Sequence, residues 1–94
     1  MVIRSLVDDL RGRGMTVAFL VPPLHTAAFE EAGPYLETAD VAIRELAGER
    51  SVPIIDCRAT VSAADFRDVT HLVESGAERH SLCVGERIRG LAGN

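Results

Sequence analysis

An α/β fold with a small parallel sheet is what this chain predicts, and three observations carry the prediction. Two short, nearly continuous apolar runs stand at residues 15–21 and 52–56. Helix-forming segments precede, separate and follow them, and glycine or proline punctuates each junction. Helix, strand, helix, strand, helix implies right-handed crossovers and parallel strands covered by helices.

Each element has its own justification. Ile3, Leu6, Val7 and Leu10 recur at i, i+3, i+4 and i+7, one face of an amphipathic helix. Gly12 and Gly14 stop that helix in the usual place for a C-terminal glycine. Residues 15–21 then read as a strand buried on both faces, ended by Pro22 and Pro23 because proline donates no ladder hydrogen bond. Residues 24–32 read as a loop or short helical turn. Gly33 and Pro34 open a longer helix, with proline suited to its first turn. Its apolar stripe is Leu36, Ala39, Ile43, Leu46 and Ala47, and Gly48 stands near the stop.

Residues 52–56 form the second strand, with Pro53 at its entry. The loop from Cys57 carries a short helical piece at residues 62–65, with Ser62 as its cap. Ser75 and Glu78 have the spacing of a capping box and open a final helix in which Val84, Ile88 and Leu91 face inward. Two strands alone leave two open edges and little core. The chain therefore reads as a single incomplete α/β domain over residues 1–94, a partial three-layer α/β/α sandwich.

Composition narrows the function classes. At 94 residues, 47% hydrophobic and 26% charged, the chain is one globular domain at most. Aromatics are 4% with no tryptophan, so the core must be aliphatic. A net charge of −4 and no interleaving of aromatic with basic residues argue against a nucleic-acid surface. The N-terminal apolar residues alternate with charges, unlike a signal peptide. No run approaches the roughly 20 apolar residues a membrane span needs, so a cytoplasmic location is expected. Cys57 and Cys83 fit no zinc spacing and are expected as ordinary buried thiols. Gly12, Arg13 and Gly14 lack the third glycine and preceding strand of a dinucleotide fingerprint; no cofactor is expected. His25, Asp68, His71 and His80 show no metal-ligand spacing either.

In open α/β sheets, ligands bind outside the carboxyl ends of the strands. The two exit loops are Pro22, Pro23, Leu24 and His25, and then residues 57–75. The second holds Asp68, Val69, Thr70 and His71, a carboxylate three residues before an imidazole. At that spacing a short loop lets the carboxylate orient the ring, which is two of the three parts of a hydrolytic triad. The plain alternative is a local hydrogen bond that fixes a turn. His25 reads as a solvated loop residue beside the same cleft and His80 as a helix-surface residue.

The strand at residues 52–56, the block from Phe66 to Leu72 around Asp68 and His71, and then Gly76 and the closing helix resemble the C-terminal portion of SGNH (GDSL-type) hydrolases. The resemblance spans most of this chain and the last half of a usual family domain. It implies a flavodoxin-like α/β/α sandwich and an acyl ester substrate, with His71 as general base and Asp68 as its orienting carboxylate. The family's other parts have no counterpart. The chain has no Gly-Asp-Ser, no Gly-x-Ser-x-Gly, and Asn94 as its sole asparagine; Ser5, Ser51, Ser62, Ser75 and Ser81 lack a nucleophile's context. The step from His71 and Leu72 to Gly76 is similar to the branch that handles acyl groups on cell-envelope polysaccharides. The resemblance thus implies part of a serine esterase or O-acyltransferase, inactive until a serine-bearing half is supplied. The alternative is a non-catalytic association module, a degenerate relic that pairs through its sheet edge with itself or with a partner.

Overall fold

The computed structural model describes residues 2–68 and 70–92; Val69 of the Asp–His segment and the terminal Asn94 lie outside them. Helix α1 (Val2–Gly12), strand β1 (Phe19–Val21), helix α2 (Thr26–Arg50), strand β2 (Ile54–Asp56) and helix α3 (Glu74–Ala92) follow in order. Two 3-10 turns, Arg58–Thr60 and Ala63–Asp65, lie between β2 and α3. The strands pair in parallel, with Phe19 opposite Ile54, Leu20 opposite Ile55 and Val21 opposite Asp56. The chain is a small α/β fold on a two-stranded parallel sheet.

Both strands are shorter than the apolar runs that encode them. Among the described residues each has a single neighbour, so residues 15–18 find no ladder to join. The core forms where α1 and the end of α2 meet the sheet. Val7, Ala47 and Val52 are buried together, with Ile3, Val17, Phe19 and Ile54 packed against them. Ile55 alternates to the opposite face and is also buried, on the side where α3 packs on β2.

Helix α2 differs most from its sequence reading. It begins at Thr26, not at Gly33, and carries Pro34 inside it. His25 makes the earlier start possible. Its ring Nδ1 accepts the Ala27 N–H at 3.0 Å, and Thr26 to Ala32 is rich in helix formers. The helix ends past Gly48, at Ser51, which takes the left-handed conformation (φ 52°, ψ 43°) and donates its N–H to the carbonyls of Ala47 and Gly48. Arg11 donates to the Arg50 and Ser51 carbonyls, adding a cation where the helix dipole is negative.

Helix α3 begins at Glu74, so Ser75 lies within its first turn and is no cap; the Val73 carbonyl accepts the Ala77 N–H at 2.9 Å. The buried face of α3 carries Gly76 and His80, whereas Ile88 (52% exposed) and Leu91 (40%) lie open. Length explains this. Three strand residues span about 10 Å, whereas 19 helical residues run to about 28 Å. The last turns of α3 overhang the sheet.

The cysteines also depart from expectation. Cys57, almost wholly buried just past β2, forms a disulfide with Cys83 of α3, their Cα atoms 6.0 Å apart. The pairing is tertiary, set by α3 packing back on β2. No helix among the described residues is long and apolar enough to cross a membrane.

Candidate functional site

The segment after the second 3-10 turn folds into a miniature hairpin. Phe66 and Leu72 make an antiparallel bridge, and the Arg67 N–H donates to the His71 carbonyl at 2.8 Å. Asp68 and His71 occupy its tip, exposed to solvent. The Thr70 and His71 backbone N–H groups both donate to Asp68 Oδ1, at 2.9 and 2.8 Å, an Asx turn built by the carboxylate itself.

The same carboxylate meets the imidazole. His71 Nδ1 lies 2.8 Å from Oδ1 and 2.9 Å from Oδ2 of Asp68, and 3.1 Å from the Thr70 hydroxyl. An ionised carboxylate only accepts hydrogen bonds, so Nδ1 carries the proton of this contact, and in the neutral ring the lone pair falls to Nε2. The backbone N–H of Thr70, and next the His71 ring, hold the Asp68 pKa down to about 2. Asp68 is therefore charged across the whole range in which an imidazole works as a base. The expected turn and the expected orienter are one arrangement.

The loop is fixed from behind. The Val73 N–H donates to the Asp65 carbonyl at 2.7 Å, and the Ser62 N–H to the Asp65 carboxylate at 2.8 Å. Arg79 of α3 binds that carboxylate and the Thr60 carbonyl. Gly76 packs directly on Asp65, where a β-carbon would stand 2.8 Å from Asp65 Cβ. The disulfide closes the same segment at both ends.

His25, expected in solvent, is half-buried, and its ring meets Phe66 edge-on at 5.5 Å. The two strand-exit loops thus touch beside a cleft of about 190 Å³ lined by Pro23, Leu24, Arg58, Val61, Ser62, Ala63 and Phe66. Asp68 and His71 are not among its lining residues. His80, expected on the helix surface, is 8% exposed, and its Nε2 has no hydrogen-bond partner among the described residues.

Arg58 is the residue that sequence reasoning passed over. It makes a two-pronged pair with Asp56 at the end of β2, at 2.9 and 2.6 Å, and holds that carboxyl down to about 2. It borders both the small cleft and a groove of about 510 Å³ between β1 and α2. The only signal in sequence was an Asp-x-Arg pair at a strand exit. Among the described residues, no group of three His, Cys, Asp or Glu side chains is placed to hold a metal. No described hydrogen bond joins a serine to His71.

Comparison of the chain with protein-family models, with curated proteins and with solved structures finds no match in any of the three.

Proposed function

We propose that Asp68 and His71 are the orienting carboxylate and general base of an SGNH-type serine ester hydrolase or O-acyltransferase. In this reading the chain supplies the C-terminal part of a flavodoxin-like sandwich, and a second polypeptide segment supplies the serine and oxyanion donors. The observation that carries it is the contact of 2.8–2.9 Å from the Asp68 carboxylate to His71 Nδ1, on a ring that is 64% exposed and free at Nε2 among the described contacts. Nε2 would take the proton from the serine hydroxyl and return it to the leaving group, while Asp68 stabilises the imidazolium between those steps.

The chain alone should turn over no ester. Among the described residues no serine hydrogen-bonds His71, and each missing oxyanion donor is worth about 2.7–4 kcal/mol of barrier. The Cys57–Cys83 disulfide favours an oxidising compartment over the cytoplasm, which agrees with acyl esters on cell-envelope polysaccharides as substrates. The open edge of β1 supports the second reading, an association module.

Complementation tests the catalytic reading. Adding the serine-bearing N-terminal part of an SGNH hydrolase should restore cleavage of a chromogenic acetate or butyrate ester. His71→Ala should abolish the rescue. Asp68→Asn, which keeps the shape but permits the wrong tautomer, should lower it by roughly 10³–10⁴-fold. Rescued activity that is indifferent to His71 would sink the assignment.

A further inference from the structure

The chain exposes more surface than its mass calls for. A folded monomer of 10.1 kDa has about 5,300 Å² of accessible surface, and this one has 6437 Å². The radius of gyration is 14.8 Å, against about 12.4 Å for a compact chain of this length. The molecule is a slab measuring 41 × 32 × 16 Å.

Part of the exposed apolar surface lies on one side of the slab, at the edge of β1 and the neighbouring face of α2. Among the described residues strand β1 pairs with β2 alone, so its other edge offers unpaired N–H and carbonyl groups. Leu20 at the centre of β1 is 52% exposed and Val41 of α2 is 55% exposed. Both border the groove between β1 and α2, whose wall includes Phe19, Val21, Leu36 and Ile43.

We propose that this side is the interface of a two-fold dimer of the chain, with β1 antiparallel to β1 of a second copy and the two α2 helices antiparallel alongside. A two-fold axis at Leu20 sets Phe19 opposite Val21 of the second copy, so the three-residue strand pairs along its whole length. A stable interface hides about 800 Å² per partner, and the whole surface of the chain carries an excess of about 1,150 Å².

Charge agrees with this arrangement. Asp40 and Arg44 pair within α2 at 2.8 Å and lie symmetrically about Ala42. Antiparallel α2 helices crossing there set each Asp40 against Arg44 of the other copy, so the net −4 of each chain is not confronted at the contact. The dimer stands independently of the catalytic role of His71.

Analytical ultracentrifugation of the disulfide-bonded chain over a concentration series tests this. The expected result is a reversible monomer–dimer equilibrium. Leu20→Lys and Val41→Glu, both at exposed positions, should each weaken it about tenfold or more, with circular dichroism confirming that each variant is folded. Asp40→Arg and Arg44→Asp should each weaken it, and the double exchange should restore it. His71→Ala should leave it unchanged, which separates failure of the catalytic reading from failure of this one. A monomer at every concentration, or a dimer indifferent to both Leu20→Lys and Val41→Glu, overturns the proposal. Failure of the double exchange to restore the dimer overturns the antiparallel arrangement.

Discussion

At Asp68 one carboxylate sets the turn through two backbone N–H groups and the tautomer through Nδ1, so the residue cannot be altered for one role without touching the other. Gly76 shows the converse, a position that matters without touching the ring. A β-carbon there would stand 2.8 Å from Asp65 Cβ and 3.3 Å from the Asp65 carbonyl oxygen. Asp65 has little room to retreat, since Arg79, Ser62 and Val73 all hold it. Gly76→Ala should therefore destabilise the chain by about 1–3 kcal/mol, although alanine favours helix elsewhere. Thermal unfolding checks this, and an unchanged midpoint would mean that the Asp65 loop yields freely. The Asp68–His71 pair was legible in sequence because it is local, three residues apart in one loop. The burial of His80 was not, because its helix periodicity does not say how far the sheet extends beneath it.

Among the elements, the helices were readable and their ends were not. A stop at Gly48 was the natural reading of α2, yet the left-handed residue is Ser51 (φ 52°). A β-carbon in that conformation costs about 1–2 kcal/mol, so Ser51→Gly should stabilise the fold by up to about 1 kcal/mol, after the extra entropy glycine loses on folding. A urea titration at constant m-value measures it; a lower midpoint would show that the Ser51 hydroxyl makes a contact worth more than the strain. The early start of α2 hid behind Pro34, which signals a first turn in sequence but here sits inside the helix. The cap that decides the matter is a histidine ring, outside the usual set of Ser, Thr, Asp and Asn. The α/β class survived these shifts because it rests on the order of apolar runs, which boundaries do not alter.

At the scale of the whole molecule, a slab with few fully buried side chains needs help to stay folded. Among the described residues the buried apolar set is Val7, Leu46, Ala47, Val52, Ile55 and Cys57, a small core even for a short domain. The Cys57–Cys83 bond spans 26 residues of chain. On the loop-entropy account it restricts the unfolded chain by about 3.5 kcal/mol, a large share of the 5–15 kcal/mol typical of a native domain. It was illegible in sequence because its partners lie on different elements. Reduction should therefore lower the urea midpoint sharply, and Cys57→Ala with Cys83→Ala should match the reduced chain. In the oxidised protein, an alkylating agent should modify neither cysteine until a reductant is added, as intact mass reports. Two thiols that alkylate without reduction, or a midpoint indifferent to reductant, would return both residues to the role of buried thiols and leave α3 held to β2 by packing alone. The hairpin carrying His71 sits between those two cysteines, so loss of the bond should also raise amide exchange across residues 66–72 before the rest of the chain unfolds.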